Sequence, residues 1–515
     1  MHKASFVNTH HAVIVGAGIG GMSAALALAG QGLQVTILEA QSEVGGKMRA
    51  VPVGGTAIDG GPTVFTMKWV FDELFNEAGL AFDEAMTLTE ASVLARHAWD
   101  DSGTLDLFAD LDQSADAIGA FCGASEAANF RTFAQDAASV YATLERPFLR
   151  SSKPSMIGMS ARLGPKGLAV KPFSTLWSAL KGRFSDPRLI QLFGRYSTYT
   201  GASPFLAPAT LMLIAHVEMD GVWIVKGGMR ELAKVMRRAC EAKSVTIQTS
   251  AKVANIEVEH GTARAVVLET GERHAADVVV VNADASAIGT GMFGKSVQRA
   301  VDPVQPAKRS LSAIGWTLKA KTEGFPLVHH SVFFGQDYPE EFDAVFKQSR
   351  YPADPTVYIC AQDRADTGTL AKPDTPERML MVINAPPNGD QSPSQSEMEQ
   401  CMERSLARLR ACGLSVQVDP SMSVPTGPEG FNSLFPATGG ALYGRANHSP
   451  FASFQRPDNR TKIPGLYLAG GSVHPGPGVP MAALSGRLAA ARIVADLAST
   501  RPSRRTVTVG GMSTA

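Results

Sequence analysis

The chain has 515 residues, long for one domain, and its 48 basic residues balance 48 acidic ones, so no global charge points to nucleic acid. Hydrophobic residues make up 44% and charged ones only 19%, which leaves room for an apolar ligand or surface. Cys122, Cys240, Cys360, Cys401 and Cys412 form no CxxC pair. They read as buried thiols in a reducing cytoplasm, and no metal is expected.

Val13-Ile14-Val15 reads as a buried strand, followed by Gly16-Ala17-Gly18-Ile19-Gly20-Gly21 and a helix opening near Ile19. Glycines in that order let the backbone approach a pyrophosphate, and the helix start points N–H groups at it. Gln34 to Leu38 reads as the second strand, and Glu39 at its end can accept both hydroxyls of an adenosine ribose. On these residues the ligand is NAD or FAD. The uncharged run Ala12 to Leu38 is explained by this unit rather than by a signal peptide or a membrane span.

Two glycine turns follow, Gly45-Gly46-Lys47-Met48-Arg49 and Asp59-Gly60-Gly61-Pro62-Thr63-Val64. They suggest backbone wrapped around more ligand than adenosine, with Lys47 and Arg49 at a pyrophosphate or, alternatively, on a solvated basic hairpin. Asp72 to Gly79 reads as a short helix, and Ala109 to Leu149 as mixed helix. From Arg146 to Ser185 there are eight basic residues, no acid, and interleaved apolar residues that include Phe148, Leu176, Leu180 and Phe184. Such a segment suits an anionic bilayer surface; a solvated loop and helix is the bland alternative.

After Gly227-Gly228, the positions Met229, Leu232, Val235, Met236 and Ala239 follow the helical period. Val245 to Ile247, Val253 to Val258, Ala263 to Leu268 and Val278 to Val281 read as strands, the last returning to the sheet begun by Val13. The nucleotide domain is then discontinuous. Leu311 to Leu318, Val357 to Ala361 and Met379 to Ile383 are strand-like and belong to a substrate domain, as does the helix Ser396 to Cys412. The tail 501–515 is polar and expected to be disordered.

At the far end, Ile463 to Ala469 runs as a strand into Gly470-Gly471, then Ser472-Val473-His474-Pro475-Gly476-Pro477-Gly478-Val479-Pro480-Met481 and a helix opening near Ala482. A strand, glycine turn and helix in this place reads as a second wall closing over a bound cofactor, which favours FAD over NAD.

At these residues the chain resembles the bacterial carotenoid desaturases, flavoproteins related to phytoene desaturase and more distantly to amine oxidases. The stretch His474 to Pro480 is the most specific mark. Gly439 to Arg445, His329 to Phe334 and Asp354 to Tyr358 also look like this family. Within it the chain is most similar to the hydroxyneurosporene and methoxyneurosporene desaturases of purple photosynthetic bacteria. These introduce a 3,4-double bond into 1-hydroxy or 1-methoxy acyclic carotenoids.

The resemblance implies an α/β fold with a discontinuous Rossmann-type FAD-binding domain of the glutathione-reductase/amine-oxidase type and an α+β substrate domain with a helical, membrane-facing part. The expected division is 1–85, 222–300 and 456–500 for FAD, and 86–221 and 301–455 for substrate. It implies FAD on Gly16, Gly18, Gly20, Gly21, Glu39, Gly46, Lys47, Arg49, Thr63, Val64, Val253, Gly470, Gly471, Ser472, Gly478, Val479, Pro480 and Met481. Many relatives outside the carotenoid branch carry an acid where Ser472 stands, so one ribityl contact differs.

The implied reaction removes a hydride to FAD and a proton from the next carbon, with oxygen or a quinone as acceptor and a peripheral place on the cytoplasmic side of the membrane. His474, His448 and Arg445 are the candidate polar residues near the flavin. His329 and His330 either meet the substrate hydroxyl or open a strand. Rival readings are a desaturase for phytoene or neurosporene, a soluble amine or porphyrinogen oxidase, and a flavin-free carrier of prenylated proteins.

Overall fold

The computed structural model describes residues 10–152, 154, 174–370, 372, 375–391 and 395–499. The tail 501–515 and most of the basic stretch, 153 and 155–173, lie outside the described residues.

A five-stranded parallel sheet carries the glycine turns. Its strands run in the order Leu466–Leu468, Val278–Val281, His11–Val15, Gln34–Leu38, Thr246–Gln248. Val13 sits opposite Val279 on one side and Thr36 on the other. Because side chains alternate across a strand, a central strand covered on both faces is apolar throughout. Ala12 and Ile14 accordingly pack with Met22, Leu26, Leu232 and Met236 on the helical face. Val13 and Val15 pack with Val253, Ile256 and Val266 on the face covered by an antiparallel meander. The helices Ile19–Gly30, Arg230–Ala242 and Val479–Ser499 form the helical layer. Two of them cross closely: a Cβ on Gly486 would lie 2.2 Å from the Gly20 carbonyl oxygen.

A second, largely antiparallel sheet is built on Ser312–Gly324, Glu377–Ala385, Val357–Ala361 and His330–Phe333. The strand Ser312–Gly324 runs six residues past the expected end. Its extension is polar (Lys319, Lys321, Thr322, Glu323) but pairs with Leu414–Gln417, and charge hides such an edge from a pattern reading. The hairpin Val93–Trp99 and Gly103–Phe108 joins this sheet beside His330–Phe333, in parallel. The hairpin Ala50–Val53 and Thr56–Asp59 also leans on it, through Val51, Val53 and Ile58 against Met422 and Val424.

Helices Leu111–Cys122, Ala124–Leu144, Pro187–Gly194 and Leu213–Met219 accompany this sheet. Leu176, Leu180 and Phe184 are buried with Phe130, Phe133 and Phe193 in one core, so these three cannot face a bilayer as the sequence pattern suggested. Arg150 pairs with Glu73 and Glu145, and Arg183 with Asp136. The helix near the C-terminal turn begins at Val479, three residues before the expected start, because Pro480 fits a first helical turn.

Candidate active site

A continuous cavity of about 1120 Å³ runs between the two sheets. At one end it is lined by Gly16, Gly18, Gly20, Glu39, Gly46, Lys47, Arg49, Thr63, Val64, Val253, Gly470, Gly471, Ser472, Gly478, Val479, Pro480 and Met481. These are the predicted cofactor residues, except Gly21. Gly21 lies one step inside the helix, where a Cβ would lie 2.2 Å from the Gly16 carbonyl oxygen. It permits the turn to close rather than touching a ligand.

The donor set of this end fits an adenine dinucleotide. The helix Ile19–Gly30 starts in the interior with no side-chain cap on its first amides, and buried uncapped N–H groups need an anion. Glu39 is held at the strand end by the Ala17 N–H, which donates to Oε2 at 2.6 Å, and the Gln41 N–H, which donates to Oε1 at 2.8 Å. Each oxygen keeps a lone pair for a ribose hydroxyl. Lys47 donates to the Leu442 carbonyl at 2.5 Å and lies over the Phe435 ring. It lines the cavity while keeping an exposed surface. Burial lowers its pKa, with Asp284 pulling it up and Arg456 pushing it down. Arg49 donates to Thr426 Oγ1 at 2.8 Å above Phe431. Ser472 Oγ accepts the Ala285 N–H at 3.1 Å, a local tie rather than a charged contact.

Residues that pattern alone did not single out complete this end. Asn282 ends the buried strand Val278–Val281, donates to the Ala469 carbonyl at 3.0 Å, and packs under the glycine turns. Arg456 is buried and donates to the carbonyls of Tyr443 at 2.9 Å, Gly471 at 3.3 Å and Arg445 at 2.7 Å. Burial lowers its pKa to about 10, so it stays charged at neutral pH. A lone arginine in a loop carries no pattern that could have marked it.

The three predicted catalytic candidates lie outside the cavity wall. His474 is buried with Nε2 on the Ser151 carbonyl at 2.9 Å and its ring edge-on to Phe148; it fastens the turn. His448 Nε2 accepts the Ser203 N–H at 2.9 Å, and the ring packs on Phe346. Arg445 donates to Gln455 Oε1, while its carbonyl serves Arg456. His329 and His330 are likewise buried behind the wall, with Nδ1 atoms on the Arg364 carbonyl and the Tyr358 hydroxyl. They do not meet a substrate hydroxyl directly.

His448 yields a pH prediction. Burial lowers its pKa to about 4 from 6.5. The unfolded chain therefore binds the extra proton first, and stability is present above about pH 6.5 and lost as pH falls toward 4. This group alone should contribute a loss of about 3 kcal/mol. Urea unfolding across that range should show a shallower pH slope in His448→Leu than in the wild type.

Beyond the cofactor end the cavity becomes apolar, walled by Leu311, Ala313, Leu380, Val382 and Leu434, with Ile214 and Val217 opposite. One cation breaks this wall. Arg195 lines the cavity with its guanidinium 5.5 Å from the Tyr199 ring centre and 5.4 Å from that of Tyr358. Among the described residues it has no ion pair. Burial opposes its charge, but Tyr199 and Glu218 more than offset this and raise its pKa. Glu218 accepts hydrogen bonds from Tyr196 at 2.6 Å and from Tyr199.

A model of the flavin containing amine oxidoreductases matches residues 19–318, and one of the FAD dependent oxidoreductases matches 220–492. The chain is 51% identical over 514 residues to a hydroxyneurosporene desaturase of Rubrivivax gelatinosus, covering 99% of this chain and 98% of that one. It is 31% identical to a 1-hydroxycarotenoid 3,4-desaturase of a Flavobacterium, over 94% of this chain and 98% of that one. A putrescine oxidase bound to putrescine shares the fold at a TM-score of 0.59 and 15% identity, over 95% of this chain and 99% of that one. With the donor set above, these matches make FAD the cofactor. The chain belongs to the flavin containing amine oxidoreductases and, within them, to the hydroxyneurosporene desaturase group.

Proposed function

We propose that this protein is an FAD-dependent carotenoid desaturase that forms the C3–C4 double bond of 1-hydroxy or 1-methoxy acyclic carotenoids. The observation that carries the substrate class is Arg195, a cation that lines the cavity with Tyr199, Tyr358 and Glu218 across from an apolar wall. An oxygen on C1 can accept a hydrogen bond from that guanidinium, a contact that a pure hydrocarbon cannot make. The names of the two relatives support the same class.

Bound FAD supplies the hydride acceptor. The chain's own residues do the rest. The apolar wall strips water from the polyene and orients it by burial. Arg195 anchors the oxygen two carbons from C3, which places C3 and C4 beside the junction with the cofactor end. C4 is the allylic carbon, so the hydride leaves from it and the proton from C3.

FAD-loaded protein in liposomes, mixed anaerobically with 1-hydroxyneurosporene, should lose its flavin absorbance. Bleaching by phytoene alone would sink the proposal. Arg195→Leu should cut the preference for 1-hydroxyneurosporene over neurosporene by about 10- to 100-fold, the worth of one charged hydrogen bond. An unchanged preference in that variant would reject Arg195 as the anchor.

We also infer peripheral contact with the membrane, on its cytoplasmic side, where the substrate dissolves. Phe451 supports this: it lines the cavity yet remains 41% exposed. No helix among the described residues is long and apolar enough to cross a membrane. Equal turnover with and without lipid would contradict the inference. Oxygen or a quinone then reoxidises the flavin.

A further inference from the structure

A part-buried hydrogen-bond chain leads from the cavity wall to His330. Thr63 Oγ1 and the Tyr358 hydroxyl lie 2.6 Å apart, and that hydroxyl lies 2.8 Å from His330 Nδ1. Thr63 and Tyr358 both line the cavity, Thr63 among the cofactor residues and Tyr358 next to Arg195. Behind them His330 packs edge-on against His329, whose Nδ1 donates to the Arg364 carbonyl at 2.8 Å and whose Nε2 lies 3.7 Å from Cys360 Sγ. His329, His330 and Cys360 bring donor atoms within 4.8 Å of one another. Each of the two histidines holds a protein hydrogen bond on its Nδ1.

One assignment of hydrogens satisfies the chain: Thr63 donates to Tyr358, and Tyr358 donates to the lone pair of His330 Nδ1. The cavity face of Tyr358 is then an oxygen whose own proton already points at a base.

We propose that Tyr358 is the catalytic proton acceptor for C3 and that His330 acts through it as its relay. The inference rests on the desaturase reading above. In one step the hydride on C4 leaves with its electron pair to FAD, and the C3–H pair becomes the new π bond. The C3 proton passes to Tyr358 oxygen, and the Tyr358 proton passes to His330 Nδ1. Atoms and charge balance, with the proton consumed later when oxygen or a quinone reoxidises the flavin. The geometry fits the anchor: Arg195 beside Tyr358 would hold the C1 oxygen two carbons from the carbon that loses the proton. Arg195, Tyr199, His329 and Cys360 are the other titratable or charged groups that act on this pair. Burial, with the Arg195 charge beside it, favours a neutral His330 at rest.

The test uses FAD-loaded wild type, Tyr358→Phe and His330→Asn in liposomes. The readout is anaerobic flavin bleaching by 1-hydroxyneurosporene, with and without deuterium on C3. Both variants should bleach about 100-fold more slowly or worse. Their substrate affinity should be unchanged, and the C3 isotope effect should be larger than that of the wild type. A Tyr358→Phe rate close to wild type overturns the proposal, and so does a slow rate with no larger C3 effect. The wild type alone gives a check that does not depend on how the variants fold. Bleaching should slow in deuterium oxide because the Tyr358 proton moves, and a rate unchanged in that solvent overturns the relay. Failure of the wild type to bleach at all would instead sink the desaturase reading.

Discussion

Gly61→Ala should yield a protein that no longer holds FAD after purification. A Cβ at Gly61 would lie 1.9 Å from the Lys47 carbonyl oxygen and 3.0 Å from its carbon. Both are backbone atoms, so no side chain can swing aside. Relief requires the turn Gly45 to Arg49 to move, and that turn carries Lys47 into the cavity and places Gly46 3.2 Å from Gly18 by the same measure. Overpacking of this kind costs about 3 kcal/mol or more, equivalent to roughly a hundredfold in cofactor affinity. Flavin absorbance per protein and the thermal midpoint of the holoprotein would report it together. Gly182→Ala is the control, since a Cβ there meets nothing nearer than 3.5 Å. It should match the wild type in both measurements. A yellow Gly61→Ala protein with an unchanged midpoint would show that the turn is compliant.

Arg456→Met should destabilise the holoprotein by at least about 3 kcal/mol. The side chain reaches three carbonyls on two segments, Tyr443 and Arg445 on one and Gly471 on the other. Methionine fills much of the volume but leaves those carbonyls buried and without their donors. Arg456→Lys keeps the charge but not the planar fork, so it should recover only a small part of the loss. Urea unfolding with the flavin signal as one probe, and far-ultraviolet dichroism as another, would separate loosening of the C-terminal wall from global unfolding. If the lysine variant equals the wild type, charge rather than the fork is what the site requires.

The extent of the legible site follows from how it is assembled. Val13 to Glu39 is one contiguous strand–turn–helix–strand unit, so its glycines and acid could be read in order. The return strand Val278–Val281 was equally visible, because a strand buried on both faces must be apolar at every position. Gly470 to Met481 could be read as a second wall for the same reason, since the glycines and Pro480 are local consequences of a tight turn into a helix. The helix Leu176–Lys181 shows the converse. Its apolar residues have the same pattern whether they face lipid or a neighbouring helix, and only the burial of Leu176 and Leu180 decides.

The polar residues of the site were not open to such reading. His474 and His448 stand in suggestive places along the chain, yet each ring turns away to serve a backbone group. Arg195 and Arg456 have no motif around them, and the family-like stretch Asp354 to Tyr358 does not say what its tyrosine does; their roles come from which loops and strands the fold brings together. Residue order suffices for the nucleotide-binding unit because its contacts are nearly all between near neighbours and the ligand is recognised by backbone. The substrate end is decided in three dimensions. Its chemistry depends on side-chain direction and on the desolvation of single charges, and neither is a property of a stretch of sequence.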